Sequence, residues 1–246
     1  MNPLWIFRDP ALDGPTNMAR DEYLLYSAEY RPAALRIYQW SPPTLSLGCF
    51  QRYAQIRELP EDVQRLAVVR RPTGGGAILH DREITYCLTL DDSLAPATRA
   101  PVTLYRLVHE LWRSVLADDG IAGELAPESY PFPSPRRGPF FCFEKPGQTD
   151  LLVGARKLLG SAQRRVPGRV LQHGSLLLGR RFAAHPGADL GEPPPERVER
   201  WVAGFTSRLA QALGLSPHDA AWTTTALDDV NRRRHRYADE TWTRRR

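Results

Sequence analysis

Apolar residues recur at helical spacing in some stretches of the chain and alternate in others, and this rhythm predicts its elements. Leu104, Leu107, Val108, Leu111, Trp112, Val115 and Leu116 fall on one helical face and predict an amphipathic helix ending near Gly120. Met18, Leu24 and Leu25 predict a helix over 17–30. Pro193-Pro-Pro195 opens another that runs to about Leu213, and Asp228 to Arg246 is expected to be helical at first and then extended. Leu35-Arg-Ile-Tyr-Gln-Trp40 alternates as a half-buried strand does, and Thr44 to Phe50, beyond the Pro42-Pro43 break, is expected to be its hairpin partner. Ala54 to Leu66 reads as a short, interrupted helix. Val68 to Arg71, Ala77 to His80 and Ile84 to Leu90 read as strands around a glycine turn. Tyr130 to Pro139 is rich in proline and is expected to be irregular and mobile. Leu151 to Val153, Lys157 to Arg164 and Val170 to Leu178 predict further strands joined by tight turns. This order fits an α+β architecture, a mixed β-sheet flanked by helices, and 246 residues allow it to be one domain over 1–246.

Composition narrows the classes. With 42% hydrophobic and 25% charged residues, the chain suits a globular protein with a core. No apolar run approaches a membrane span, and the start, MNPLWIFRDPALD, lacks a basic segment followed by an apolar one, so a cytoplasmic protein with no membrane partner is expected. Cys49, Cys87 and Cys142 form no C-x-x-C pair, which argues against a disulfide framework and a zinc site; no metal is expected. The net charge of +5 attracts acidic partners. No basic stripe interleaved with aromatics marks a nucleic-acid surface, and an acidic carrier protein matches the charge as well. Only two of the 33 basic residues are lysines, Lys145 and Lys157, so a lysine inside a glycine-bounded segment asks for a reason. Lysine is a compact charge where arginine is a broad fork.

Three segments carry candidate chemistry. In Arg70-Arg-Pro-Thr-Gly-Gly-Gly-Ala-Ile-Leu-His80, three glycines between apolar strands permit positive φ and close approach, and their amides can hold an anionic or carbonyl oxygen. A plain hairpin turn explains a triple glycine equally well. The segment is neither a P-loop nor a dinucleotide fingerprint. In Gly154-Ala-Arg-Lys-Leu-Leu-Gly-Ser-Ala-Gln163, glycines bracket Lys157 and suggest a lysine on a strand edge that a ligand can approach. In Leu171-Gln-His-Gly-Ser-Leu176, His173 and small residues interrupt an apolar strand. Taken singly, an exposed strand lysine and a core histidine are the simpler readings of the last two.

Together, in this order and spacing, the three resemble the biotin/lipoate ligase and lipoyltransferase superfamily. Gly14-Pro-Thr-Asn-Met-Ala-Arg-Asp-Glu22, Pro43-Thr-Leu-Ser-Leu-Gly48 with Gln51, and Tyr237-Ala-Asp-Glu-Thr-Trp242 extend the resemblance over nearly the whole chain. The Gly-Arg-Gly-Arg loop of biotin ligases is absent. Pro139-Phe-Phe-Cys-Phe-Glu-Lys-Pro146 and His80-Asp-Arg-Glu-Ile-Thr-Tyr86 are similar to segments of the octanoyltransferases of the LipM type. That resemblance implies Cys142 as nucleophile and Lys157 as its activating partner. It also implies Arg71, Thr73, Gly74, Gly75, Gly76, Ala77, His80, Gly160, Ser161, Ala162 and His173 around the substrate.

The implied reaction takes an octanoyl group from octanoyl acyl carrier protein, through a cysteine thioester, to a lysine of a lipoyl-domain protein such as glycine-cleavage H protein or a 2-oxoacid dehydrogenase E2. No cofactor is implied. The alternative is an ATP-dependent lipoate ligase without its C-terminal accessory domain. The transferase chemistry is coherent. A free thiol titrates at about 8.5, and a neighbouring ammonium favours the nucleophilic thiolate. Thioester exchange is nearly isoenergetic, so no ATP is required, and amides of the glycine turn over 74–77 are candidate oxyanion donors.

Overall fold

The computed structural model describes residues 1–94, 97–131 and 138–246; of the proline-rich stretch expected to be irregular, residues 132–137 lie outside the described residues. In chain order the elements are β1 (Pro3–Leu12), α1 (Gly14–Tyr26), β2 (Ala33–Trp40), β3 (Thr44–Leu47), α2 (Glu61–Gln64), β4 (Ala67–Arg70), β5 (Ile78–His80) and β6 (Glu83–Asp91). Then follow α3 (Pro101–Asp118), β7 (Glu124–Leu125), β8 (Leu151–Val153), β9 (Arg156–Val166), β10 (Arg169–Leu177), α4 (Pro195–Leu213), β11 (Ser216–Asp219), α5 (Thr224–Ala238) and α6 (Glu240–Thr243). Eight strands form a mixed sheet in the order β11-β1-β2-β6-β10-β9-β8-β7, and three more form a small sheet, β4-β3-β5.

The period-two alternation of the strands sorts their side chains onto two helical layers. Ile84, Tyr86, Leu88 and Leu90 of β6 and Leu35 of β2 join a core with Val108 and Trp112 of α3 and Phe205 of α4. Ala34 and Tyr38 of β2, Cys87 of β6 and Leu171 of β10 face the other way, toward Leu24 of α1 and Val230 of α5. Helices therefore cover both faces, which is why every residue of β6 and β10 is buried. Trp112 stacks on Phe205 with ring centroids 4.2 Å apart, joining α3 to α4. Such a pair contributes about 1 kcal/mol beyond the area it buries. Pro195 in the first turn of α4 and left-handed Gly214 (φ 63°) after its last turn set that helix's ends where the sequence places them.

Three expectations fail. First, β3 is not the hairpin partner of β2: it pairs in parallel with β4 and antiparallel with β5, in the separate small sheet. The neighbours of β2 are β1, in parallel, and β6, antiparallel, with Ala33 paired to Leu90 and Tyr38 to Thr85; both β2 and β6 are central strands needing apolar cover on two sides. Second, α5 is not followed directly by an extended tail: a second short helix, α6, comes next, with Asp239 accepting from the Thr241 amide as its cap. Third, Lys157 is not on a sheet edge, since β9 lies between β10 and β8. Among the described residues no helix is long and apolar enough to cross a membrane.

Candidate active site

The glycine segment leaves β4 and returns as β5, but these strands do not pair with each other; β3 lies between them. The turn is therefore a crossover loop, not a hairpin, and Arg71 is what shapes it. Buried beneath the loop, its guanidinium donates to the carbonyls of Gly74 (2.8 Å), Gly76 (2.6 Å) and Ser46 (3.1 Å). A trans peptide points its N–H opposite to its C=O, so holding the Gly74 carbonyl turns the Gly75 amide away from Arg71. The Ala77 amide is already committed to the Phe140 carbonyl at 2.7 Å, and the Cys142 amide returns a bond to Ala77 O at 2.8 Å. Ala77 thus anchors the cysteine segment and is no free oxyanion donor. Gly76 must be glycine for the same reason: a Cβ there would lie 2.8 Å from the Cys142 nitrogen and 2.9 Å from the Phe140 oxygen, both backbone atoms.

This anchoring brings residue 142 to the lysine of β9. Lys157 Nζ lies 3.4 Å from Cys142 Sγ and 3.2 Å from the Cys142 carbonyl, donating toward both. Asp150 supplies its counter-charge at 2.7 Å and is itself fixed by the Gly147 amide at 2.7 Å. Lys157 is only 2% exposed. Burial opposes its charge, but the Asp150 carboxylate and the Cys142 sulfur outweigh that and hold the ammonium's pKa above its ordinary value. Lysine at this position is therefore a fixed cation aimed at sulfur.

The second glycine of the lysine segment makes room for it. A Cβ on Gly160 would collide with Lys157 Cε and lie 2.5 Å from Nζ. Because Asp150 and Cys142 confine that side chain, it has no free direction in which to retreat. Gly160→Ala is expected to slow Cys142 alkylation by iodoacetamide at neutral pH by roughly tenfold, the cost of displacing one charged hydrogen bond. An unchanged alkylation rate would show that Lys157 moves aside freely.

A cavity of about 330 Å³ opens beside this pair, a volume typical of small-ligand sites. Met18, Tyr38, Trp40, Ile78 and Tyr105 give it apolar walls. Of the residues named from sequence, Arg71, Gly74, Gly75, His80, Cys142, Lys157, Gly160, Ser161, Ala162 and His173 line it together. Thr73, Gly76 and Ala77 do not, and act one layer back. Thr73 Oγ1 lies 2.7 Å from His173 Nε2, whose other nitrogen faces the Asp21 carboxylate of α1 at 3.0 Å. Asp21 also pairs with buried Arg36 at 2.7 Å. His80 stacks on Trp40 at 3.8 Å and places Nδ1 2.6 Å from Glu83, a carboxylate that only accepts, so Nδ1 carries the proton and Nε2 accepts from Ser46 Oγ at 2.7 Å. Burial holds His80 below its usual pKa and thus neutral.

Sequence reasoning missed Asp150 and the chain of groups behind Ser161. Ser161 Oγ lies 2.6 Å from Tyr86 OH and 2.6 Å from His109 Nε2; Gln172 donates to Tyr86 OH at 2.8 Å. Asp150, seven residues before Lys157, had a findable signal in a lone acid beside the Gly147 turn. His109 had none, since it sits within an amphipathic helix as any core histidine does.

His185 lies behind the cysteine segment, its ring 5.5 Å from that of Phe143, and burial lowers its pKa from 6.5 to about 4. The Gly187 amide donates to its Nδ1 at 3.3 Å, which requires a neutral ring. Between pH 6.5 and about 4 the unfolded chain binds this proton and the folded one does not, so stability falls as pH drops through that window, by up to about 3 kcal/mol. His109, also lowered by burial, adds in the same direction. Thermal unfolding against pH should show this fall, with His185→Gln flattening it; a profile level from pH 6.5 to 4.5 contradicts the account.

A mixed sheet is covered by helices, and a half-buried cysteine meets a buried ammonium in the wall of a cavity with apolar sides. Residues 13–217 match the lipoyl protein ligase A/B catalytic domain, and the chain belongs to that family. It is 39% identical over 215 residues to an octanoyltransferase LipM of Bacillus subtilis (strain 168), covering 83% of this chain and 76% of that protein. It is 40% identical over 185 residues to an octanoyltransferase LipM of Geobacillus kaustophilus (strain HTA426), covering 71% and 66%. The chain thus spans between about two thirds and three quarters of these relatives. In fold it is similar to a crystal structure of lipoate-protein ligase A bound with ATP, with a TM-score of 0.78 at 16% identity over 99% of both chains. A bi-partite lipoate protein ligase from Thermoplasma acidophilum gives 0.72 at 15% identity over 99% of this chain and 96% of that one.

Proposed function

We propose that the chain is an octanoyltransferase of lipoate biosynthesis that works through an acyl-cysteine. The observation carrying this reading is the 3.4 Å approach of Lys157 Nζ to Cys142 Sγ in the wall of the cavity. Relatives at 35–40% identity that are octanoyltransferases LipM support it, and none of this favours the ATP-dependent alternative.

Octanoyl acyl carrier protein is the donor. The Cys142 thiolate, favoured by the ammonium at 157, attacks the thioester carbonyl; a new carbon–sulfur bond forms and the carrier's thiol leaves. The Gly75 amide, turned away from Arg71 in a residue that lines the cavity, is a donor for the carbonyl oxygen. The alkyl tail enters the apolar cavity, stabilised by about 0.8 kcal/mol per buried methylene. In the second half a lysine amine of a lipoyl-domain acceptor attacks the acyl-cysteine, an amide forms, and Cys142 departs as the thiolate that the ammonium at 157 stabilises. The amine's proton returns to sulfur or solvent, and no nucleotide is consumed. A cytoplasmic setting suits both protein partners.

Transfer to a lipoyl-domain protein, measured with octanoyl carrier protein alone and with free octanoate plus ATP, tests this. Product from the first mixture and none from the second is the expected result. Product only from the second would establish a ligase.

A further inference from the structure

One rim of the cavity carries cations that lack acidic neighbours. Phe50 lines the cavity and is 42% exposed. The Arg246 guanidinium lies 5.6 Å from its ring centroid, and the Arg246 carbonyl accepts from the Tyr53 amide at 2.8 Å, fastening the segment after α6 against residues 50–53. Arg245 lies 3.6 Å over the Trp242 ring, whose Nε1–H donates to the Arg70 carbonyl at 3.0 Å. Arg164 of β9 donates to the Pro72 carbonyl at 3.2 Å, next to the glycine loop. Half-buried Cys49, whose amide donates to Thr73 O at 2.9 Å, marks their convergence: although burial raises its pKa most, Arg71, Arg245, Arg164 and Arg246 all act on its sulfur.

Some exposed arginines elsewhere hold carboxylates, as Arg8 does with Glu199, Arg65 with Glu61, and Arg232 with Asp229, while others, such as Arg57 and Arg156, stand singly and away from the cavity. Among the described residues, Arg164, Arg245 and Arg246 are exposed and none has an acidic side chain within ion-pair distance. Cations without internal counter-ions, gathered at the entrance of a site, raise the encounter rate of an acidic partner.

We infer that Arg164, Arg245 and Arg246 form a docking collar for the acidic carrier protein that presents the acyl thioester, guiding it to the Phe50 edge of the cavity. This rests on the transferase reading, and deepens it by separating the surface that receives the donor from the pair that performs the exchange.

The test compares two donors that share the thioester and differ in the carrier: octanoyl carrier protein and octanoyl-pantetheine. Acylation of Cys142 is followed by intact mass in the wild type and in Arg164→Glu/Arg245→Glu/Arg246→Glu, with Arg164→Gln/Arg245→Gln/Arg246→Gln as a milder set and thermal unfolding as a folding check. With the carrier-bound donor, kcat/KM should fall roughly 10- to 100-fold in the glutamate set, with a shallower salt dependence. With octanoyl-pantetheine it should stay within about twofold, since the pair at 142 and 157 is untouched. An unchanged carrier rate overturns the collar. So does a loss confined to the chase from preformed acyl-enzyme to lipoyl domain, which would assign the cations to the acceptor. Failure of the wild type to acylate from either donor strikes the transferase reading itself, and the collar with it.

Discussion

Cys142→Ala is expected to remove the octanoyl adduct entirely and to lower kcat/KM for transfer by at least about 10³-fold, because the covalent route loses its only nucleophile. The fold should survive. Cys142 packs at the margin of the main core, and its backbone bonds to Ala77 and its carbonyl's bond from Lys157 do not involve sulfur. The change in melting temperature should therefore be small, so that lost turnover is lost chemistry. Cys87→Ala makes the control: that thiol is fully buried in the layer between β6 and α1 and burial holds it well above its usual pKa. It should cost about 1–2 kcal/mol of stability as a small cavity and leave acylation intact. Equal transfer by wild type and Cys142→Ala would end the covalent account.

Lys157→Met should have the second largest effect, and on two quantities at once. The charged hydrogen bond to sulfur is worth about 1.5–3 kcal/mol, so Cys142 alkylation and acylation should slow roughly 10- to 100-fold. Stability should also fall, by about 3–5 kcal/mol, because Asp150 would be left buried without its cation. Lys157→Met/Asp150→Asn separates the two. The amide oxygen of asparagine still accepts from Gly147, so much of the melting temperature should return while the slow acylation remains. Lys157→Arg should rescue neither in full, since a planar guanidinium does not fit the space against Gly160 that a single ammonium occupies. Recovery of acylation along with stability in the double variant would mean that Lys157 acts only by holding the fold.

What the sequence disclosed follows from which interactions are local. The face of α3, the prolines that open α4 and its end near Leu213, and the runs of β6 and β10 are written in neighbouring residues. The pairing of β2 with β6 in place of β3 depends on partners as distant as Leu90 from Ala33, and no local pattern distinguishes them. β1 was invisible because Asp9 and Pro10 interrupt it, and Asp9 is needed there to meet Arg36 at 2.5 Å. β11, Ser-Pro-His-Asp, is a polar edge held by backbone bonds to β1, so it has no apolar rhythm to read. At the site, Cys142 and Lys157 were nameable from their flanking residues. Their meeting depends on Gly76, which lets the cysteine segment lie against the loop, and on Asp150, which holds the ammonium. Both are consequences of close approach between segments distant in sequence, and only three dimensions reveal them.

The most direct test of the cysteine route isolates its product. Enzyme loaded from octanoyl carrier protein, freed of donor and of all nucleotides, would be mixed with a lipoyl-domain protein and sampled by intact mass on the millisecond-to-second scale. The account predicts that the octanoyl mass leaves residue 142 at the rate at which it arrives on the acceptor lysine, and no slower than steady-state turnover. An adduct that persists while the acceptor stays unmodified, or that discharges far more slowly than the enzyme turns over, would contradict it.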